Sequence, residues 1–208
     1  LSILDSVKAA GINYVAMQQD AEDADCFVGA NGVETGEAQM QAVIDAIGGS
    51  GKIAYLAGTE GTLVASEREE GSMSVLEASP ECELVAREDG DWLREDAISI
   101  VETWITSGIE FDAICAACDE MAIGAILALQ DAGIDDVVVA GIDGLQMGCE
   151  YVKNGDMTLT FYADAKGLAY ESLDAALALA KGEQPEDVVL KDLLVNADNV
   201  DEYLAMWS

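Results

Sequence analysis

The chain has 208 residues, with 41 acidic and 9 basic side chains, no histidine, and a formal net charge of −32 at pH 7. This charge argues strongly against nucleic-acid binding, which needs Lys and Arg to neutralise phosphates, and it disfavours anionic membranes and anionic ligands. The absence of histidine excludes Ser–His and Cys–His hydrolases within this chain. We expect most of the acidic side chains to form a solvated surface.

Strand and helix patterns alternate along the whole chain. Apolar runs without polar alternation favour parallel strands that are covered on both faces, and amphipathic segments that end at glycine favour helices. The predicted helices span residues 2–10, 35–47, 63–78, 93–107, 119–131, 146–154, 165–180 and 199–206, the last with Asn199 as its N-cap. The predicted strands span residues 13–17, 26–29, 52–56, 83–86, 113–116, 137–142, 157–162, 188–190 and 193–195. The alternation predicts an α/β fold.

The stretch Phe111–Gly148 organises this pattern. Two apolar runs, "AICAA" and "VVVAGI", predict neighbouring parallel strands joined by a helix that begins at Asp119. At that position a carboxylate is favoured by the unpaired N–H groups of its own helix. Cys118 and Asp143 follow the two strands, and small ligands bind outside such carboxyl ends in open α/β sheets. The sequence therefore predicts a binding edge there.

Three local motifs permit a functional and a structural interpretation. Cys115 and Cys118 form a C-x-x-C, but no second Cys pair and no His follow, so we expect neither redox chemistry nor a zinc site. The acidic run Asp20–Asp25 lacks the Gly and terminal Glu of an EF-hand and predicts a surface turn. The loop Ala57–Gly61 lacks the G-K-[ST] ending of a P-loop and predicts a strand-to-helix turn.

Four segments in order resemble a known family. They are "GTEGTLVASEREEG", "DWLREDA", "CDEMAIGAILALQDAG" followed by "VVVAGIDG", and the tail "ALALAKGEQPEDVVLKDLLVNADNVDEYL". Together they resemble the type I periplasmic sugar-binding proteins of the ribose- and inositol-binding group. That family typically shows Asn-Asp-Glu-Met-Ala-hydrophobic-Gly-Ala and then Gly-hydrophobic-Asp-Gly. The resemblance covers nearly the whole chain.

The resemblance implies a two-lobed fold in which each lobe is a parallel sheet flanked by helices. It places the first crossover at the turn Asn31–Gly32 and the second at Ala163. Residues 1–31 and 164–190 would then form a partial N-terminal lobe, and residues 32–163 and 191–208 the C-terminal lobe. The chain opens within a helical pattern and without Met. We therefore expect the first two or three strand–helix units of the family, and part of the first lobe, to be absent.

Carried over by position, the resemblance assigns ligand contacts to Gln18, Gln19, Arg68, Trp92, Cys118, Asp143 and Ala163. A guanidinium donates to paired hydroxyl oxygens, an indole covers the apolar face of a sugar ring, and a carboxylate accepts from vicinal hydroxyls. Structural alternatives stay open for three of these residues. Arg68 would be an exposed salt bridge, Trp92 plain core, and Asp143 the N-cap of the next helix. For Arg94, a buttress of the site and a surface position both stay open.

Four positions depart from the ribose-binding pattern. Gln18 and Gln19 stand where Asp–Arg is usual, Cys118 replaces Asn, and Ala163 replaces Gln. Charge and hydrogen-bonding capacity are lost, and a buried site with fewer polar groups binds a polyol less tightly. We therefore expect a ligand other than ribose that is larger, less hydroxylated or partly apolar, such as a deoxy sugar, a nucleoside or an unusual polyol.

The resemblance implies a monomeric solute-binding component of an ABC importer that holds a small neutral sugar-like ligand in an inter-lobe cleft. Its partner would be the transporter permease, and its location periplasmic or extracytoplasmic, with a lipoprotein anchor as one form. The alternative is the ligand-sensing core of a LacI-type regulator, which would need a basic DNA-binding segment upstream. Carboxylate pairs such as Asp119–Glu120, or Asp143 with Glu150, are common in so acidic a chain, so we expect no enzyme, no cofactor and no metal.

Overall fold

The computed structural model describes residues 3–19, 21 and 23–207, and it divides the chain into two compact units. Unit 1 comprises Leu1–Asn31 and Asp164–Lys191. Unit 2 comprises Gly32–Ala163 and Asp192–Ser208. That unit 1 is an incomplete N-terminal lobe stays a prediction.

Nine strands and eight α-helices are found in the described residues. The strands are β1 (Val15–Met17), β2 (Cys26–Ala30), β3 (Gly51–Ala57), β4 (Cys82–Asp89), β5 (Ala113–Ala116), β6 (Val138–Ala140), β7 (Leu159–Tyr162), β8 (Val188–Leu190) and β9 (Leu193–Asn196). The helices are α1 (Ile3–Ala9), α2 (Gly32–Ala46), α3 (Leu63–Glu77), α4 (Arg94–Thr106), α5 (Asp119–Asp131), α6 (Gln146–Asn154), α7 (Ala165–Ala180) and α8 (Val200–Leu204). A 3-10 turn, Ala205–Trp207, follows α8. In the described part of the chain, no helix combines the length and apolar content needed to cross a membrane.

Unit 1 is built on a three-stranded parallel sheet in the order β1-β2-β8. Its small core joins Cys26 and Val28 of β2 to Ala175 and Leu179 of α7. The predicted first helix and acidic turn include Ser2, Asp20 and Glu22, which lie outside the described residues.

Unit 2 is built on a six-stranded sheet in the order β4-β3-β5-β6-β7-β9. The predicted parallel sheet is confirmed for β4-β3-β5-β6-β7, and the edge strand β9 pairs with β7 in the antiparallel direction. An edge strand that is not joined to its neighbour by a βαβ crossover is free to run in either direction. The central strands β3 and β5 are buried on both sides, as their continuous apolar runs predict.

The sequence placed most elements of unit 2 but misjudged several of their ends. The predicted bounds of β5, α5 and α6 are confirmed. The predicted turn at Asn31–Gly32 is wrong, because Gly32 is already the first residue of α2. Asn199 occupies the N-cap position of α8, but its side chain does not cap that helix. Its Oδ1 instead accepts a hydrogen bond from the backbone N–H of Asn196, 2.9 Å away.

Candidate functional site

Four of the predicted ligand contacts lie in unit 2, on segments that follow neighbouring strands. These are Arg68 on α3, Trp92 in the loop before α4, Cys118 at the N-cap position of α5, and Asp143 in the loop after β6. The strands that precede these segments, β3, β4, β5 and β6, run parallel, so their carboxyl ends meet at one edge of the sheet. This edge is the predicted binding edge.

Arg68 connects the group. Its side chain is only 7% exposed, and Nη1 donates to the backbone carbonyl of Ala117 at 2.5 Å. Nη2 lies 3.7 Å from Asp143 Oδ1, and the guanidinium carbon lies 5.9 Å from the centre of the Trp92 ring. A buried cation needs such partners, since burial without them is costly. The interpretation of Arg68 as an exposed salt bridge is therefore wrong.

Trp92 lies across the loop that follows β3. A Cβ atom added to Gly58 would lie 2.0 Å from Cζ2 of the indole, so the ring rests directly on the Gly58 backbone. The residue has a positive φ of 65°, which holds the ring at this corner rather than along a helix. Trp92 packs against the core but is only half-buried. The interpretation as plain core therefore holds only in part, because ring surface stays open at the edge, and a ligand contact by Trp92 stays a prediction.

Asp143 lies opposite Arg68 in an unusual backbone conformation, with φ of 123°. Burial raises the pKa of its carboxyl to about 6, while Arg68 lowers it and Asp192 raises it. The N-cap interpretation is wrong, because Leu145 occupies the N-cap position and α6 begins at Gln146. The Asp143 carboxylate is thus not engaged in capping that helix.

Asp192 is a member of this group that the sequence did not indicate. Its Oδ2 accepts a hydrogen bond from Thr35 Oγ1 at 2.8 Å, and burial raises its pKa while Arg68 lowers it. Asp192 lies in the short loop between β8 and β9, and its neighbours in "LKDLL" form no pattern that marks a site. We refer to the set Arg68, Trp92, Cys118, Asp143 and Asp192 as the Arg68 cluster.

The cysteines of the C-x-x-C are buried free thiols. Burial raises the pKa of Cys118 to about 12, so it is a neutral and weakly polar group in the Arg68 cluster. Cys115 donates to Gln39 Oε1 at 3.2 Å, and Gln39 Nε2 donates to the carbonyls of Ala116 and Gly141. Within the described residues no group of three or more potential ligand side chains is arranged to hold a metal ion.

The three other predicted contacts follow strand ends. Gln18 and Gln19 come after β1 in unit 1, where the backbone N–H of Gln18 donates to the Val28 carbonyl at 2.9 Å. Ala163 follows β7 in unit 2, and its N–H donates to the Asp143 carbonyl at 3.0 Å. Ala163 is therefore tied to the backbone of the Arg68 cluster, whereas Gln18 and Gln19 belong to the other unit. A binding role for all three stays a prediction.

Two further charged residues, Asp119 and Arg94, lie near this edge. Asp119 differs from its prediction. The Asp119 carboxylate does not bond to its own helix; it accepts from the Leu145 N–H at 2.8 Å and from the Thr160 hydroxyl at 2.5 Å. The Asp119 carboxylate is fully buried, so it lies in the interior and not at a solvent-exposed helix end. Arg94 pairs with Glu120 at 2.9 Å and joins α4 to the start of α5, with a side chain that is 28% exposed. Its role as a buttress of the site stays a prediction.

The described residues define an α/β fold with a polar cluster at the carboxyl edge of its larger sheet. A model of the family described as periplasmic binding protein domain matches residues 1–184, so the chain belongs to this family. Its fold is the type I periplasmic-binding-protein fold, with sheets flanked by helices.

Relatives and solved structures agree with this assignment. A protein of Rhizobium meliloti, provisionally named as rhizopine-binding, is 34% identical over 93% of this chain and 66% of its own length. The xylitol-binding protein of Mycolicibacterium smegmatis is 34% identical over 94% of this chain and 57% of its own length. An ABC transporter solute-binding protein from Bacillus halodurans, solved with bound myo-inositol, has a TM-score of 0.94 and 36% identity. That alignment covers 98% of this chain and 72% of the solved chain.

These relatives are solute-binding proteins rather than enzymes. The chain spans between about half and two thirds of the length of the two curated relatives described above.

Proposed function

We propose that the protein is the solute-binding component of an ABC importer, and that the Arg68 cluster binds a small neutral sugar or sugar-like polyol. The observation that carries this proposal is the Arg68–Asp143 pair, 3.7 Å apart, beside the half-buried Trp92. The guanidinium supplies donors, the carboxylate accepts from vicinal hydroxyls, and the indole covers C–H groups. One cation facing Asp143 and Asp192 leaves no surplus positive charge for an anionic ligand.

The ligand class follows from the groups that line the edge. Cys118 contributes a neutral thiol and Ala163 no side-chain hydrogen bond, so fewer hydroxyls find partners than in the ribose-binding pattern. The relatives named for xylitol and solved with myo-inositol support a polyol over an aldopentose. We propose a cyclic or linear polyol, or a deoxy sugar, as the ligand.

Membership of the family supports a partner and a location. An importer permease would accept the solute, and the protein would act in the periplasm or another extracytoplasmic compartment. The monomeric state and a lipoprotein anchor belong to the same proposal.

Calorimetric titration of the full-length protein with myo-inositol, xylitol, ribose and allose tests the proposal. We expect micromolar or tighter binding of at least one polyol and weaker binding of ribose. D143N removes the negative charge that accepts from the ligand. We expect it to weaken polyol binding by about 100-fold, as the loss of a buried charged partner does. The matched control is D131N, an exposed aspartate at the far end of α5, which should bind as the parent does.

Three results would oppose these assignments. Tight ribose binding would overturn the ligand class. Equal binding by D143N and the parent would remove Asp143 from the site. Binding of none of the four compounds would count against a sugar-like solute.

A further inference from the structure

Asp119 is a fully buried carboxylate that joins two segments distant in sequence. Its Oδ1 accepts from the Thr160 hydroxyl of β7 at 2.5 Å, and its Oδ2 accepts from the Leu145 N–H before α6 at 2.8 Å. Thr160 is fully buried as well. A buried carboxylate is tolerated where such bonds satisfy it, and its loss then disturbs every segment that it holds.

The bonds made by this pair enclose the loop that carries Asp143. On the C-terminal side, the Gly144 N–H donates to Thr160 Oγ1 at 3.3 Å. On the N-terminal side, the backbone N–H of Asp119 donates to the Ile142 carbonyl at 2.7 Å. The residues immediately before and after Asp143 are therefore bonded to Asp119 or Thr160.

Asp143 needs external support of this kind. Its φ of 123° lies in a region that non-glycine residues rarely adopt. A strained conformation persists only where the surrounding structure determines it. The N–H of Asp143 donates to the Phe161 carbonyl and its own carbonyl accepts from the Ala163 N–H. The bonds to Asp119 and Thr160 add support at the residues on either side of Asp143.

Two glycines make room for the Asp119 carboxylate. A Cβ atom at Gly141 would lie 2.3 Å from Oδ1, and one at Gly148 would lie 2.2 Å from Oδ2. No side chain larger than hydrogen fits at either position while the carboxylate keeps its place. Glycine is therefore required both before and after the loop for the Asp119 carboxylate to fit.

We propose that Asp119 and Thr160 are positioning residues that fix the Asp143 carboxylate opposite Arg68 and thereby set the affinity of the site. They act through Asp143 and do not contact the ligand. The inference deepens the proposed function, and only its ligand-binding part rests on that function.

The electrostatics agree with the geometry. Burial raises the pKa of Asp119 to about 7, whereas its bonds to Thr160 and Leu145, and the charge of Arg68, lower it. Asp143 raises it, and the charge of Asp119 in turn raises the pKa of Cys118 and Cys149. Asp143, Arg68, Cys118 and Cys149 are thus the titratable groups that this carboxylate faces.

A ligand-free measurement tests the positioning role directly. Carbon-13 NMR of aspartate-labelled protein follows the titration of Asp143 in T160V, with T160S as the control that keeps the hydroxyl. We expect the pKa of Asp143 to change by at least about half a unit in T160V, because both the burial of the carboxylate and its distance from Arg68 depend on the loop. T160S should match the parent. An unchanged titration in a folded T160V protein would overturn the inference.

A double-mutant cycle with myo-inositol as the probe tests the link to binding. T160V should weaken binding about 10-fold in the parent and less than about 2-fold in a D143N background, because residues that act through one another are not additive. Equal weakening in both backgrounds would overturn action through Asp143. If no variant binds the probe, the NMR result alone decides the positioning role, and the failure counts against the proposed ligand. D119N serves as a second variant in both experiments should T160V not fold.

Discussion

The Cβ atom that Gly36 lacks would lie 2.1 Å from the backbone carbonyl oxygen of Arg68. Gly71 of α3 faces the backbone of α2 in the same way, since a Cβ atom at Gly71 would lie 2.0 Å from the Val33 carbonyl oxygen. Helices α2 and α3 therefore pack with their backbones in contact. Because Arg68 belongs to α3, this close approach decides how far the guanidinium reaches towards Ala117 and Asp143.

Gly36→Ala should disturb both stability and binding. The added methyl group would push α3 away from α2, and overpacking of this kind costs about 1–3 kcal/mol. Denaturant unfolding should show this loss, and calorimetry should show weaker polyol binding because Arg68 is displaced. Glu37→Ala, at an exposed position one residue further along α2, is the control and should change neither quantity. A G36A protein as stable as the parent would contradict the tight helix contact.

Trp92→Ala should weaken polyol binding by about 10- to 100-fold, since aromatic anchors carry a large share of binding energy. Trp92→Phe should retain most of the affinity, because a phenyl ring still covers the C–H groups of the ligand. Isothermal titration measures both effects. Trp207→Phe, at a residue that is 48% exposed in the C-terminal 3-10 turn, is the matched control. Unchanged affinity in W92A would remove the indole from the site.

Stability should fall as the pH rises from about 4 to about 7. Burial raises the pKa of Asp119 from 3.8 to about 7 and that of Asp143 from 3.8 to about 6. In this window the folded chain holds protons that the unfolded chain has released, so the free energy of unfolding decreases with pH. Each unit of raised pKa corresponds to about 1.4 kcal/mol, so Asp119 should account for a few kcal/mol.

Chemical denaturation at a series of pH values, in the parent and in D119N, checks this contribution. The slope of stability against pH should become flatter in D119N, because asparagine does not titrate. D131N removes one exposed acidic charge and should keep the slope of the parent. Identical slopes in D119N and the parent would contradict the raised pKa.

Added salt should stabilise the protein. With 41 acidic and 9 basic side chains, the folded chain carries self-repulsion that mobile ions screen. Raising NaCl from about 10 mM to about 1 M shortens the screening length from about 30 Å to about 3 Å. The melting temperature should therefore rise by several degrees in a calorimetric scan.

A less acidic variant provides the comparison for the salt experiment. Exposed glutamates suitable for replacement by glutamine are Glu60, Glu77, Glu102 and Glu183. The combined variant should melt higher at low salt and respond less to NaCl. A melting temperature that is independent of salt in the parent would show that the surface charge does not limit stability.

Several residues show how much of the fold and of the candidate site the sequence alone could predict. The strands around Phe111–Gly148 were predictable because continuous apolar runs with glycine boundaries have few alternatives in an α/β chain. Arg68 and Asp143 were reached through the motif resemblance, and the structure brings them together with Trp92 and Cys118. Their role in ligand binding stays a prediction.

Asp119 and Asp192 show where the sequence was insufficient. An aspartate at the first turn of a helix favours a local cap, yet Asp119 bonds to Thr160, 41 residues away. Asp192 carries no motif and reaches the Arg68 cluster only because the chain returns to unit 2 after residue 191. Long-range partners of a polar side chain depend on packing, which local pattern does not encode.

By itself the sequence determined the class of fold, the order of its elements, the charge of its surface and the edge of the sheet at which polar residues gather. These properties follow from periodicity, composition and strand direction, which are local or additive along the chain. Only the tertiary structure decided which carboxylates face Arg68, which one is buried beneath them, and where two helix backbones touch. Those relationships depend on the close packing of segments far apart in sequence, where a single methyl group decides whether two backbones can meet.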